Sequence, residues 1–365
     1  MFSRQTRYLE RHWGFRDMVD RARDNRQGPK IPSSAIFLSG FGMHARRLGS
    51  LNRLEAELRI PARWEPLVGE RKPSAEAMGH ALARWDLACL RGMLVEAGKM
   101  GKRKKVFRRL YPDSHWVAAI DGVETNRSRK RHCSECLTRK VKVGKEKKEV
   151  TEYYHREVAL QLIGVTPVLI LDVEPLLPGD TEVSAALRMI ERVHESYPRF
   201  IDVLSFDAFY LQAPFVKKVL NMGYGVVIVL KQETRDLYKD AQGLFLAREP
   251  QERTPWVRGE AGYENIRWLR GETQLWDEKD LTSWPQLGRP VRVVRSLEQK
   301  VKRERIAGEW TEREVVEDWR WAVIFPDETE PPAELIRRWG HARWDEEEGF
   351  CELTMHWRLK HSYHH

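Results

Sequence analysis

The order of strand and helix patterns between residues 115 and 231 constrains the fold more than any other feature of the chain. Five apolar runs are typical of strands: HWVAAIDG, YYHREVALQLIG, VTPVLILDVEPL, FIDVLSFDAFY and YGVVIVLK. Two helical patterns, DTEVSAALRMIERVHESYP and APFVKKVLNMG, lie before and after the fourth run. Because three strands are followed by helix, strand, helix and strand, the sequence predicts an α/β fold with a mixed five-stranded sheet and helices on its faces.

Two regions outside this pattern differ from it in character. The first hundred residues repeat apolar positions at helical spacing, as in AEAMGHALARWDLACLRGMLVEAGKM. Residues 249–321 are rich in Arg, Trp, Glu and Gly and contain the strand candidates ENIRWLRGETQLW and RPVRVVRSLEQK, after which DWRWAVIFP is a return strand. We therefore expect a helical N-terminal region at 1–110, an α/β domain at 111–248 and 322–365, and a β-rich insertion at 249–321.

The chain carries an excess of basic residues, with 63 Lys and Arg against 54 Asp and Glu and a formal net charge of +9. Such an excess favours a polyanionic partner, most simply nucleic acid. The densest basic stretch is KMGKRKKVFRRL at 99–110. It is either a solvated linker or an arm that contacts phosphates, and the overall charge favours the arm. The DNA contacts predicted in it are Lys102, Arg103, Lys104 and Lys105.

Neither a secretory signal nor a membrane span is expected from the sequence. The first twenty residues have no continuous apolar stretch. No segment approaches the roughly twenty apolar residues that cross a bilayer. The four cysteines, at positions 89, 133, 136 and 351, suit a reduced compartment better than a disulfide scaffold. The expected location is therefore the cytoplasm.

Two aspartates end apolar runs and are candidates for metal ligands. Asp121 ends the first predicted strand and Asp207 ends the fourth. An aspartate at a strand end is commonly a turn or helix-cap residue. Acids at the ends of neighbouring strands can, however, converge on a divalent ion, and a third acid from a facing helix would complete a two-metal phosphodiester site.

The third acid is expected in WDEEEGF, within a predicted final helix at PPAELIRRWGHARWDEEEGFCELTMHW. At one hundred degrees per residue, Glu347 lies in the middle of an apolar stripe, and Arg343 lies one turn before it. On the same wheel Asp345 points away from the stripe, and Glu346 and Glu348 flank it. Glu347 is therefore predicted to be the acid that faces the protein.

The segment HCSEC raises a separate question of metal binding. Cys133 and Cys136 have the spacing of half a zinc knuckle, with His132 beside them and His155 on the next predicted strand. No second pair of cysteines exists, because Cys89 and Cys351 are isolated. Zinc therefore remains an alternative that the sequence does not favour.

Three blocks together resemble the DDE transposases of the bacterial insertion-sequence-four family, over essentially the whole chain. The first joins AAIDGVET, RHCSECL and YYHREV; the second is IDVLSFDAFYLQAPFVKKVLNMGYGVVIVLK; the third is HARWDEEEGF. The family signature spaces Tyr, Arg, Glu and Lys by two, three and six residues. Arg343 and Glu347 keep the Arg-to-Glu spacing, whereas the Tyr position is Gly340 and the Lys position is Thr354.

The resemblance implies a ribonuclease-H-like catalytic domain and a nucleoid-associated, metal-dependent transposase that hydrolyses transposon ends and joins them to target DNA. Asp121, Asp207 and Glu347 would hold two Mg²⁺ or Mn²⁺ ions, and Arg343 and Lys231 would contact DNA. The helical N-terminal region would bind transposon ends and form a homodimer on DNA. An insertion-domain tryptophan, for which the candidates are Trp268, Trp276 and Trp284, would stack on a flipped base, although core packing is the commoner role. The alternative is a catalytically inactive DNA-binding remnant.

Overall fold

The computed structural model describes residues 2–60, 64–111, 115–145, 147–257, 268–306, 309–357 and 359–360. The N-terminal part of this described chain is helical, as predicted. Its helices are α1 (Phe2–Trp13), α2 (Phe15–Asp20), α3 (Ser33–Ala45), α4 (Leu51–Leu58), α5 (Glu65–Val68), α6 (Ala75–Leu82) and α7 (Leu87–Arg103).

Local sequence starts several of these helices, and a small core holds them together. The side chains of Ser50, Ser74 and Asp86 accept hydrogen bonds from the first backbone N–H groups of α4, α6 and α7, which satisfies donors that have no partner inside the helix. The buried side chains of this core include Ile36, Leu54, Leu58, Trp64 and Met78.

The predicted strand and helix order is present in the middle of the chain. The elements are β1 (Arg108–Arg109), β2 (Val117–Ser128), β3 (Leu137–Val143), β4 (Lys148–Ile163), β5 (Val165–Thr166), β6 (Leu169–Pro175), α8 (Glu182–Ser196), β7 (Val203–Phe206), α9 (Ala213–Asn221), β8 (Gly225–Val229) and α10 (Asp236–Ala247). The rest of the described chain contains β9 (Glu252–Val257), β10 (Trp268–Leu281), β11 (Val291–Ile306), β12 (Glu309–Ile324), α11 (Ala333–Ala342) and α12 (Trp344–Trp357).

The described strands other than β1 and β5 form one ten-stranded mixed sheet. The five predicted strands are β6, β4, β2, β7 and β8, which are neighbours in that order. Strand β2 is antiparallel to β4 and parallel to β7, and β7 is parallel to β8. The structure adds a hairpin strand, β3, beside β4.

The β-rich segment predicted at 249–321 continues this sheet. Strand β12 pairs with β8 in antiparallel fashion, and β11, β10 and β9 follow outward. This pairing covers the backbone groups that β8 would otherwise expose at a sheet edge. The beginning of the strand candidate ENIRWLRGETQLW lies outside the described residues, and β10 starts at Trp268.

Helices cover both faces of the sheet. One apolar core joins Ala118 and Ile120 of β2 to buried residues of α8, α9 and α10. The other joins Val117 and Ala119, which alternate with them along β2, to Ile336 and Trp339 of α11. Because successive side chains of a strand point to opposite faces, β2 contributes to both cores. Among the described residues, no helix combines the length and apolar character needed to span a bilayer.

The predicted final helix is broken into two. Helix α11 ends at Ala342 and α12 begins at Trp344, with Arg343 between them. The start of α12 is anchored to β4, because the backbone N–H of Gly164 donates to Asp345 Oδ2 at 3.0 Å and Gln161 Nε2 donates to the Asp345 carbonyl at 2.9 Å. The prediction of one continuous final helix is therefore wrong, because the structure has two helices here.

A buried ion cluster fixes α11 on β11. The Glu298 carboxylate is 1% exposed, and it contacts Lys300 Nζ at 2.5 Å, His341 Nε2 at 2.5 Å and Arg337 Nη1 at 3.2 Å. Burial opposes ionisation, yet the hydrogen bond from His341 and the charges of Arg337 and Lys300 hold the pKa of Glu298 below its ordinary value. The carboxylate therefore stabilises the fold above the unfolded pKa near 4.5, and this stabilisation is lost as the pH falls below that value.

Replacing Glu298 by glutamine is expected to lower the free energy of unfolding at pH 7 by about 3 kcal/mol, because Arg337 and Lys300, which are largely buried, lose their shared anion. Urea unfolding followed by tryptophan fluorescence at pH 7 and pH 4 measures this loss. The difference in the free energy of unfolding between the variant and the unmodified protein should be smaller at pH 4. The control is Glu304→Gln, which breaks the Lys302–Glu304 pair of 2.7 Å and should cost far less, because an ion pair in contact with solvent contributes little to stability. Equal losses in the two variants would contradict this account.

Candidate active site

Two parallel strands place Asp121 and Asp207 side by side at the same end of the sheet. Residues Val117–Ile120 of β2 pair in register with Val203–Phe206 of β7, so each aspartate is the next residue after the paired segment. The adjacency predicted for these strands is confirmed. The prediction that Asp121 ends its strand is wrong, because β2 continues to Ser128 beside β4.

Asp207 is held by the turn that follows its strand. Its Oδ1 accepts a hydrogen bond from the backbone N–H of Phe209 at 2.8 Å and caps the short 3-10 helix Ala208–Tyr210. Asp121 Oδ1 accepts the backbone N–H of Gly122 at 2.7 Å. Each carboxylate is therefore oriented by neighbouring backbone.

Arg343 joins Asp121 to Glu347 from the break between α11 and α12. Its Nη1 donates to Asp121 Oδ2 at 3.1 Å, and its Nη2 donates to Glu347 Oε1 at 3.0 Å. The Arg343 side chain is 6% exposed, whereas the Glu347 side chain is 39% exposed. The guanidinium thus bridges an acid of the sheet and an acid of the helix that are separated by 226 positions of sequence.

The negative charge at this site is only partly compensated. Burial raises the pKa of Asp121, and the charges of Asp207 and Glu347 raise it further. Arg343 and the Gly122 N–H act in the opposite direction, yet the net shift is upward. A carboxylate group whose charges repel one another in a buried setting is a favourable place for a cation with oxygen ligands.

The structure assigns different environments to the acids of WDEEEGF than the helical wheel predicts. Glu346, expected at the flank of the stripe, is fully buried. Burial and repulsion by Asp121 raise the pKa of Glu346 well above its ordinary value, which favours the protonated form of this side chain. Asp345, expected to point away, accepts a hydrogen bond from the backbone N–H of Gly164, the residue after β4. Glu348 is exposed. The prediction that Glu347 is the acid facing the protein is wrong in this respect, because Glu346 is fully buried and the Glu347 side chain is 39% exposed.

Residues that the sequence did not single out surround the first aspartate. Glu182, in the first turn of α8, pairs with Arg156 of β4 at 2.5 Å and accepts a hydrogen bond from the Tyr210 hydroxyl at 3.0 Å. Burial raises the pKa of Glu182, and the Asp121 and Asp207 charges contribute to the rise. A Cβ on Gly122 would overlap the Glu182–Arg156 pair. Glycine therefore lets this second charged pair approach the backbone next to Asp121.

The departure from Tyr at position 340 has a packing explanation. A Cβ on Gly340 would overlap the indole of Trp321, which is fully buried and stacks on Trp319 with ring centroids 6.2 Å apart. The Trp321 ring occupies the space beside α11, so a larger residue at 340 would displace it. At the signature's Lys position, Thr354 lies half-buried on α12.

The three candidate carboxylates are brought to one end of the sheet without closing into a tight cluster. Three potential metal ligands among the described residues, Cys133, Cys136 and His155, have ligand atoms that all lie within 4.8 Å of one another. The three carboxylates do not meet this condition. The carboxylates of Asp121 and Glu347 are separated by the Arg343 guanidinium. Their chemistry nevertheless fits a divalent ion, because they are oxygen ligands with uncompensated charge.

The predicted DNA-contacting cations fall into two groups. Arg103, Lys104 and Lys105 are exposed around the end of α7, and Lys231 is exposed with its Nζ 5.4 Å from the Trp319 ring. Lys102 departs from the prediction, because its Nζ donates to the carbonyls of Arg199 and Phe200 at 3.0 Å. Burial lowers the pKa of Lys102, and its role is to hold α7 against the sheet domain.

The candidate base-stacking tryptophans are packed inside the protein or covered. Trp276 and Trp284 are buried, and the Trp276 indole N–H donates to the Arg248 carbonyl at 2.9 Å. Trp268 is half-buried, with Lys300 Nζ 5.1 Å from its ring centroid. The core alternative is therefore correct for Trp276 and Trp284.

Comparison with known proteins supplies the family. The model of the transposase DDE domain matches residues 169–365, which include Asp207, Arg343 and Glu347 and make up more than half of the chain. A search of curated proteins found no match to the chain. The mixed sheet with flanking helices is consistent with such a domain. The chain therefore belongs to the family of transposases that carry a DDE domain.

Proposed function

We propose that the protein is the transposase of an insertion sequence of the insertion-sequence-four type and that Asp121, Asp207 and Glu347 are its catalytic acids. The observation that carries the proposal is the double contact of Arg343 with Asp121 and Glu347, beside the in-register strands that bring Asp207 to Asp121. The strand order β6, β4, β2, β7, β8 supports a ribonuclease-H-like catalytic domain.

The three carboxylates would hold two Mg²⁺ or Mn²⁺ ions, in keeping with a family whose members generally use divalent metal ions. Bound ions would supply activation of the attacking oxygen and stabilisation of the leaving oxygen. The chain's own residues position these groups. Backbone N–H groups orient Asp121 and Asp207, and Arg343 provides a guanidinium that can also contact a phosphate.

The reaction proposed is hydrolysis at the transposon ends followed by attack of the freed DNA 3′-hydroxyl on target DNA. Neither step needs a covalent enzyme intermediate, so positioning and electrostatics are the protein's contribution. Arg103, Lys104, Lys105 and Lys231 would contact DNA phosphates around the site. The helical region at 1–110 would bind the ends, with 111–248 and 322–365 as the catalytic domain and 249–321 as the insertion.

The proposal is tested by incubating the purified protein with labelled DNA that carries the ends of its own element. Nicking at the ends is expected with Mg²⁺ or Mn²⁺ and not with a chelator. Inverted repeats bounded by short direct repeats in the flanking genomic DNA identify those ends. Tight DNA binding without nicking would contradict the catalytic proposal and support the inactive DNA-binding remnant.

A further inference from the structure

A second cluster of potential metal ligands lies away from the candidate active site. Cys133 and Cys136 belong to the loop between β2 and β3, and His155 projects from β4. The two sulfur atoms are 3.6 Å apart, and His155 Nε2 lies 3.4 Å from Cys133 Sγ and 3.3 Å from Cys136 Sγ. Two segments separated in sequence therefore bring three zinc-type ligands to one point.

These distances agree with the edges of a zinc coordination tetrahedron. Zn–S bonds of about 2.3 Å and Zn–N bonds of about 2.0–2.1 Å require separations of about 3.8 Å between sulfurs and about 3.6 Å between sulfur and nitrogen. The three observed separations of 3.6, 3.4 and 3.3 Å are each shorter by only about 0.2–0.3 Å. The sulfur separation is far longer than the roughly 2.05 Å of a disulfide.

The surroundings favour a bound ion as well. The backbone N–H of Cys133 donates to Cys136 Sγ at 3.3 Å, a contact that stabilises a thiolate. Cys133 is exposed while Cys136 and His155 are half-buried, so an ion can enter from solvent. Two thiolates and a neutral imidazole are the soft and borderline ligands that select zinc.

We propose that the protein binds one Zn²⁺ through Cys133 Sγ, Cys136 Sγ and His155 Nε2, with water at the fourth position. His132 is not a ligand in this arrangement, because its ring stacks on Tyr153 with centroids 4.4 Å apart. Binding releases the protons of the two thiols to solvent and leaves a site with no net charge. The ion ties the β2–β3 loop, which carries Arg129, Lys130 and Arg131, to β4. This site is independent of the transposase function proposed above.

Metal content of the full-length protein tests the proposal. The protein is purified under reducing conditions, incubated with Zn²⁺ or Co²⁺ and desalted. We expect about one zinc per chain and, with cobalt, the thiolate charge-transfer absorption of a tetrahedral site. Cys133→Ser, Cys136→Ser and His155→Ala should each weaken binding at least about 100-fold. Cys89→Ser and Cys351→Ser are matched controls, and His132→Ala tests the choice of histidine; all three should retain the ion.

A second measurement uses the unmodified protein and so does not depend on the folding of variants. With zinc present, alkylation of Cys133 and Cys136 by iodoacetamide should be slowed relative to the exposed Cys351, and a chelator should remove the protection. Cys133 and Cys136 share the tryptic peptide HCSECLTR, so fragmentation of the tryptic peptides in the mass spectrometer gives the three rates. The proposal is overturned if the reduced protein takes up no zinc, if Cys133→Ser binds it as the unmodified protein does, or if His132→Ala loses it while His155→Ala keeps it.

Discussion

Replacement of Glu347 by glutamine is expected to reduce metal-dependent cleavage of the transposon ends at least about 1,000-fold, because an ion ligand and its charge are lost from the site. Glutamine has the size of glutamate and keeps the helix. It can still accept the hydrogen bond from Arg343 Nη2, which is 3.0 Å from Glu347 Oε1. The fold and DNA binding should therefore stay close to those of the unmodified protein. Nicking of end-labelled DNA with Mg²⁺ or Mn²⁺ measures the loss.

The neighbouring acids provide matched controls within one turn of the helix. Glu348→Gln changes an exposed residue and should leave nicking unchanged. Glu346→Gln should also be active, because glutamine resembles the protonated form of Glu346 that burial favours. Asp345→Asn should be active as well, because asparagine keeps an oxygen that can accept the hydrogen bond from the Gly164 N–H. Normal cleavage by Glu347→Gln together with inactivity of Glu346→Gln would show that the wrong acid has been assigned.

A variant at Arg343 tests the positioning of the carboxylates separately from metal binding. Arg343→Ala removes the ion pairs with Asp121 and with Glu347. The negative charges of the two carboxylates then lose their nearest positive partner. Cleavage should fall less than in Glu347→Gln, because a charge-assisted contact is lost and the ligands remain. Cleavage equal to that of the unmodified protein would exclude a role for this bridge in the reaction.

DNA affinity should fall steeply with salt, whether or not the protein is catalytically active. A protein that neutralises six to ten phosphates loses about 10³–10⁵ in affinity between 50 and 200 mM salt, because each contact releases counterions. Besides Arg103, Lys104 and Lys105, exposed cations line the end of β2, the loop after it and the hairpin β3–β4: Arg127, Arg129, Lys130, Arg131, Lys140, Lys142, Lys145, Lys147 and Lys148. Fluorescence anisotropy of labelled DNA gives the slope of log affinity against log salt.

A double variant tests the contribution of the basic arm to this slope. Lys104→Gln with Lys105→Gln should reduce the slope by about 1.8, which is about 0.9 for each lost phosphate contact. Lys239→Gln is the control, because Lys239 is an exposed lysine of α10 paired with Asp236 at 3.6 Å. If the affinity of the unmodified protein does not change with salt, binding through phosphate contacts is excluded. If the double variant has the same slope as the unmodified protein, Lys104 and Lys105 do not contact DNA phosphates.

Local patterns were sufficient for the elements that build the sheet. Alternating or continuous apolar runs marked β2, β4, β6, β7 and β8, since strand periodicity is a property of neighbouring residues. The four-residue spacing of Arg343 and Glu347 likewise indicated a contact within one helical turn, and the two side chains meet at 3.0 Å. The extension of the sheet through β12 was beyond such reasoning, because strand pairing joins residues about a hundred positions apart.

The sequence by itself determined which side chains are available for chemistry: two aspartates after apolar strands, an acid one turn after an arginine, and a cysteine pair. Only the tertiary structure decided how they are used. Packing of α12 against β2 and β4 buries Glu346 instead of leaving it at the flank, α8 brings Glu182 beside Asp121, and pairing of β3 with β4 brings His155 to the cysteines. The physical reason is that burial and charge pairing depend on contacts between distant segments, whereas periodicity and spacing describe only near neighbours.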